Sequence, residues 1–195
     1  MAQRSYALAA IAACAVSLGA SQAFAGVISY DFSSVAGSST PASIGIATLS
    51  SPSDPGAYTF GPNGGLFSTL GSTVLAANGT TATELDISFA VPQNAVSFGF
   101  GLIDLLESNG NDNLDVTLNH GTPVQFGTRV PGTDLFPQGT VSVSSTTGFD
   151  SVEITSANPA NTIVIADLTS VPEPASLALL GAGLAGLFVA RRRRK

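Results

Sequence analysis

The residues best equipped for chemistry are acids. Asp104, Glu107, Asn109, Asn111, Asp112, Asn113 and Asp115 crowd into one short stretch around Gly110. Oxygen donors on near-alternate residues beside a glycine turn are what a hard cation such as Ca²⁺ requires. The stretch is not an EF-hand loop: its opening Asp/Asn alternation is imperfect and no Glu closes it. A polar hairpin loop with Asx turns explains the same residues without a metal. Should calcium bind, Asn109, Asn111, Asp112 and Asp115 are the expected ligands, with Asp104 or Asp167 next in line.

Other chemistry finds little material. His120 is the single histidine and falls between the apolar residues Leu118 and Val124, where an exposed turn is expected. A Ser-His-Asp arrangement would have to use it, and no Gly-x-Ser-x-Gly elbow accompanies it. The lone cysteine, Cys14, lies in the N-terminal segment. Once that segment is removed, thiolate nucleophiles, disulfides and Cys-ligated zinc are excluded. Paired carboxylates can hydrolyse glycosides, but thirteen acids make some pair inevitable. Trp is absent, and Tyr30 and Tyr58 are the only tyrosines beyond the N-terminal segment, so aromatic sugar platforms are scarce. No nucleophile, base and oxyanion set can be assembled, and the expectation is a non-enzymatic protein.

The elements that must position these residues read as strands. Leu85, Ile87, Phe89 and Val91 alternate with Glu84, Asp86, Ser88 and Ala90, and a period of two puts the large apolar groups on one face. Val96, Phe98, Phe100 and Leu102 repeat this with small partners Ser97, Gly99 and Gly101. Shorter runs follow at Leu114–Leu118, Val124–Phe126, Val141–Val143, Val152–Ile154 and Ile163–Ile165. Earlier candidates are Val27–Phe32, Ile44–Leu49, Tyr58–Phe60 and Thr73–Ala76. Turn dipeptides such as Asn78-Gly79, Asn109-Gly110 and Pro131-Gly132 separate them. About ten or eleven short strands without helical periodicity predict an all-β, antiparallel β-sandwich with a jelly-roll-like path.

The two ends read differently. Arg4 precedes an apolar run from Ala7 to Ala20, and Ala23-Phe24-Ala25 supplies a small-x-small site. The run is too short to span a bilayer, so a Sec-exported signal peptide cleaved after Ala25 by signal peptidase is expected. A lipoprotein site at Cys14 would leave only Ala7 to Ile11 as apolar core, which is too little. At the other end, Val171-Pro172-Glu173-Pro174 precedes an uncharged stretch, Ala175–Ala190, and the cluster Arg191, Arg192, Arg193, Arg194 and Lys195. A helix over 175–190 reaches about 24 Å at 1.5 Å per residue, nearly a hydrocarbon core. Snorkelling arginines extend it, and the cations act as a cytoplasmic stop. This predicts residues 1–25 as signal peptide, 26–170 as the β domain and 171–195 as a tail with a membrane helix.

Charge sharpens the division. All thirteen acids lie between Asp31 and Glu173, whereas five of the seven Lys and Arg residues form the terminal cluster. Of the other two, Arg4 leaves with the signal, and Arg129 alone remains in the body. If the tail is cut near Pro174, one base against thirteen acids leaves a formal charge of −12, which repels nucleic acid and anionic membrane surfaces.

Val-Pro-Glu-Pro, a short Ala/Leu/Gly-rich segment and a terminal Arg cluster together resemble the PEP-CTERM sorting signal of Gram-negative bacteria. The resemblance implies recognition by an exosortase, a membrane transpeptidase-like cysteine protease. Cleavage would fall near Pro172-Glu173-Pro174, and the body would pass from an inner-membrane-anchored precursor to the cell surface or matrix. Two prolines should keep that stretch extended, out of helix and sheet. The expected role is structural or adhesive within extracellular polysaccharide. A carbohydrate-binding module is the alternative, and a secreted hydrolase ranks behind both.

Overall fold

The computed structural model describes residues 26–77, 84–104, 113–127, 136–156 and 161–174. These form ten strands, all antiparallel, and one short 3-10 helix, Phe32–Val35. The strands are β1 (Ile28–Ser29), β2 (Ala42–Ile44), β3 (Ala47–Ser50), β4 (Tyr58–Pro62), β5 (Thr73–Ala77), β6 (Glu84–Asp104), β7 (Asn113–Leu118), β8 (Val124–Gly127), β9 (Gln138–Ser156) and β10 (Asn161–Pro172). Residues 27–172 form one compact unit.

Hydrogen bonding runs in the order β4-β5-β10-β6-β9-β7-β8, with β3 also on β6, β2 on β3, and β1 on β10. β6 and β9 each serve two layers. The first half of β6 buries Leu85, Ile87 and Phe89, and the second half buries Val96, Phe98, Phe100 and Leu102. The inward parity switches from odd to even across Val91–Ala95. There the β6–β9 register slips twice, from Ser88 to Gln93 and from Gln93 to Ala95. Bulges of this kind bend a strand and re-aim its side chains. Both halves then point into one continuous core, in which Leu85, Phe98, Val141 and Ile154 share a single cluster. One layer is β4-β5-β10 with the late half of β6 and the early half of β9. The other is β2-β3 with the early half of β6, the late half of β9, then β7 and β8.

Several sequence expectations change form. Leu85–Val91 and Val96–Leu102 are one strand, as are Val141–Val143 and Val152–Ile154. Ile44–Leu49 is a hairpin turning at Gly45, whose φ is +60°, a value that suits glycine. Val27–Phe32 gives only two strand residues before the chain turns into the 3-10 helix, where the Asp31 side chain caps Ser33.

A second, smaller cluster covers the outer face of the first layer. Phe67, Leu70 and Val74 pack there on Val164 and Ala166. Gly99 and Gly101 make this possible. A Cβ on Gly99 would stand 2.7 Å from the Leu70 side chain, and one on Gly101 would collide with the Phe67 ring. Asn63 holds the covering loop: its amide donates to the carbonyls of Phe67 (2.7 Å) and Leu70 (3.1 Å), and its Oδ1 accepts from Phe67 N at 3.1 Å.

Among the described residues no helix is long and apolar enough to cross a membrane. The expected signal peptide with Ala23 and Ala25, the expected membrane helix over 175–190 and the cluster Arg191–Lys195 lie outside them.

Candidate functional site

The loop held by Asn63 ends at Gly71, on the rim of a half-open cleft of about 340 Å³. Three pieces of chain meet there: Ser29–Ser33, Gly71–Thr73 and the stretch of β10 at Asp167 and Thr169. Asp167 reaches the cleft because β10 carries an extra residue. Ala166 pairs with Gly99 and Thr169 with Ser97, so three steps on β10 face two on β6. At this bulge Asp167 adopts φ +55°, and Leu168 turns fully into the core. A left-handed non-glycine residue in a strand is uncommon, although Asp is among the types that tolerate it.

The Asp167 Oδ2 accepts a hydrogen bond from Gly71 N at 3.0 Å. A Cβ on Gly71 would lie 2.5 Å from Oδ1, so glycine there permits the approach. On the facing wall, Asp31 Oδ1 accepts from Ser33 N at 2.9 Å and from Ser33 Oγ at 2.6 Å. These bonds, the hydroxyl's first, hold the Asp31 carboxyl below its ordinary pKa. Tyr30 keeps its ring inside and pairs its hydroxyl with Ser170 Oγ at 2.8 Å; burial raises the phenol's pKa. The cleft therefore presents two carboxylates and hydroxyls from Ser29, Ser72 and Thr73, with no basic group in its lining among the described residues.

A second acidic surface covers the outer face of the other layer. Asp86 sits directly across from Glu153, and Glu84 from Thr155, which in turn faces Asp115. Burial, then the neighbouring carboxylates Asp86 and Glu153, raises the pKa of Glu84. Burial and Glu153 raise that of Asp86, while His120 opposes them. His120 is exposed, with Nδ1 3.7 Å from Glu153 Oε2. It occupies the expected turn, where it and Asn119 both have positive φ. Asn119 Oδ1 ties that turn to β9 by accepting from Asp150 N at 3.0 Å.

The four expected calcium ligands are not seen together. Asn109, Asn111 and Asp112 lie outside the described residues, and nothing is described of the Asp104 side chain. Asp115 lies within β7, accepting from Gln125 Nε2 at 3.2 Å. Among the described residues no group of three or more His, Cys, Asp or Glu is arranged to hold a metal.

The sorting motif is only half free of the sheet. Val171 pairs with Ala95 and Pro172 with Gln93, after a register shift between them. The expectation that both prolines stay out of the sheet is thus corrected at Pro172. A proline is compatible with the end of a strand, where its missing N–H leaves no ladder bond unmade. Glu173 and Pro174 lie beyond the strand. The cleft escaped sequence reading because its carboxylates come from opposite ends of the body. A lone Asp inside an apolar run, Ile163–Leu168, was the one available signal.

Residues 170–194 match the PEP-CTERM protein-sorting motif. A tail of this kind marks export and sorting to the cell envelope or surface in Gram-negative bacteria. No curated relative matches the chain in sequence. Among solved structures, a cleaved adhesin domain of Lys-gingipain is similar at 16% identity and TM-score 0.49, over 75% of this chain and 99% of that one. A second cleaved adhesin domain of Lys-gingipain, from Porphyromonas gingivalis, gives 11% identity, TM-score 0.46 and coverage of 75% and 98%. A family 35 carbohydrate-binding module from Clostridium thermocellum gives 10%, 0.39, and 75% and 98%. These are distant likenesses of shape.

Proposed function

We propose that this is an exported, non-enzymatic surface or matrix protein, sorted by an exosortase and acting as a structural or adhesive β-sandwich within extracellular polysaccharide. The match of residues 170–194 to the sorting motif supports it. In this reading signal peptidase cuts after Ala25. The apolar segment 175–190 holds the precursor in the inner membrane, with Arg191, Arg192, Arg193, Arg194 and Lys195 on the cytoplasmic side. Cleavage near Pro172-Glu173-Pro174 then separates a strongly acidic body from its cationic anchor. A jelly-roll-like path is the finer form of the sandwich. Calcium held by Asn109, Asn111, Asp112 and Asp115 would tie down the β6–β7 connection. Melting that rises with calcium and falls with EDTA is expected; melting indifferent to both removes the metal from the reading.

The mass and compartment of the mature protein test the sorting. Termini at Gly26 and within residues 172–174, in a surface or secreted fraction, are expected. An intact Lys195 retained in the inner membrane would overturn it. A second reading, a carbohydrate-binding module, is favoured by the polar cleft between Asp31 and Asp167.

A further inference from the structure

That cleft has a composition which narrows what it can hold. Among the described residues both its charged groups are carboxylates and no Lys, Arg or His lines it, so anionic ligands such as uronates or phosphates are repelled. A hard cation needs six or more oxygen ligands in a tight shell, and no suitable acidic group is found among the described residues. A ligand rich in hydroxyl groups meets neither objection. Its O–H groups donate to the open lone pairs of Asp31 and Asp167, and charge-assisted bonds of this type are the strong ones. Its oxygens accept in turn from the hydroxyls of Ser29, Ser72 and Thr73.

The site is also built, in the sense that several separate parts of the fold converge on it. The extra residue in β10 turns Asp167 outward while Leu168 stays buried. Gly71 leaves room for the carboxylate and fixes it with an N–H bond at 3.0 Å. The Asn63 clamp and the packing of Phe67 and Leu70 hold the loop that carries Gly71. Asp31 is fixed by its two bonds from Ser33. At about 340 Å³ the cleft falls within the range of small-ligand sites, about 300–1,000 Å³. Its lining is polar, which suits sugar edges better than apolar ligands.

From these observations we infer that the cleft between Asp31, Gly71 and Asp167 binds a short, non-anionic saccharide through its hydroxyl groups. This rests on the carbohydrate-binding reading and gives it a location. Tyr30 and Phe32 also line the cleft but are buried, so the binding is mainly hydrogen-bonded and weak for one copy. Many copies on one surface would hold a polymer through avidity.

The test titrates the ¹⁵N-labelled full chain, in a zwitterionic detergent free of sugar headgroups, with laminarihexaose, a glucosamine hexamer and an oligoguluronate. The neutral or the amino-sugar hexamer should shift the amides of Gly71, Ser72, Thr73 and Asp167, and the uronate should not. The double variant D31N/D167N should weaken that binding at least about five-fold with an otherwise unchanged spectrum. Ser72→Leu places a bulky apolar group in the cleft while keeping both Asp31 and Asp167, and should abolish it. Binding that maps elsewhere, or that survives both variants, overturns the cleft and leaves the carbohydrate-binding reading standing. A preference for the uronate overturns the charge argument and with it the cleft. No binding of any of the three overturns both.

Discussion

Gly101 and Asp86 show how much a single position carries. Gly101 looks in sequence like a small spacer between Phe100 and Leu102, yet its bare Cα is the seat of the Phe67 ring. Gly101→Ala must displace that ring or the loop behind it. A loss of about 1–3 kcal/mol is expected from overpacking of this kind, read as a lower urea midpoint at unchanged slope. Asp86 faces Glu153 across an antiparallel pair, and its Oδ1 is buried without a hydrogen-bond partner among the described residues. Like charges directly opposite each other destabilise a sheet. Asp86→Asn should therefore raise stability by about 0.5 kcal/mol. The folded-state pKa values of Glu84 and Asp86 lie above their ordinary values, so the folded chain holds these protons more tightly than the unfolded one. That contribution is complete below the ordinary carboxylate range and is lost as pH rises through the raised values. Melting temperature should climb as pH falls from neutral toward the ordinary carboxylate range, about pH 4, and the climb should shrink in the Asp86→Asn variant.

At the scale of elements, the long strands decide the fold. β6 and β9 share an extended antiparallel pairing that is bent once, and each half faces the same core from an opposite side. The last strand, β10, matters in another way, because it runs through Ser170 into the sorting motif. Ser170 is buried and bonded to Tyr30, and Val171 and Pro172 continue the pairing with β6. A body that keeps its last strand must keep these residues. The processed C-terminus should therefore be Pro172 or a later residue, as intact mass would show. A chain stopped after Thr169 loses the Tyr30–Ser170 bond, worth about 1 kcal/mol, and should melt below one stopped after Pro172. Equal melting of the two would mean that the end of β10 is idle.

The whole molecule is divided by charge. The acids spread over the body, and five of the seven Lys and Arg residues are the last five of the chain. Self-repulsion among uncompensated carboxylates destabilises a compact state and is screened by salt. The processed body should accordingly melt higher as NaCl is raised from about 10 mM to about 150 mM, where the screening length falls from about 30 Å to about 8 Å. A melting temperature independent of salt would show that the acids are spaced too widely to interact. In the proposed sorting, the tail supplies the cations that a membrane stop requires, and Arg129 is the only Lys or Arg between residues 26 and 190.

What could be read from the sequence alone is local. Period-two alternation identified the apolar set Leu85, Ile87 and Phe89, and again Val96, Phe98, Phe100 and Leu102, because backbone geometry sends neighbouring side chains to opposite faces. The sorting tail was legible for the same reason, since its three parts are contiguous and need no partner to be recognised. Leu85–Val91 and Val96–Leu102 read as two separate runs, and only the paired structure shows a bend within one strand, because a bulge is defined by what stands opposite it. The inclusion of Pro172 in the sheet depends likewise on Gln93 being beside it. The cleft is the clearest case. Gly71 and Asp167 are separated by 96 positions, and no spacing rule connects them. Folding β1, the Asn63 loop and the β10 bulge against one layer brings them together, because Phe32 and Leu168 are buried in the main core and Leu70 in the smaller cluster on the outer face of that layer.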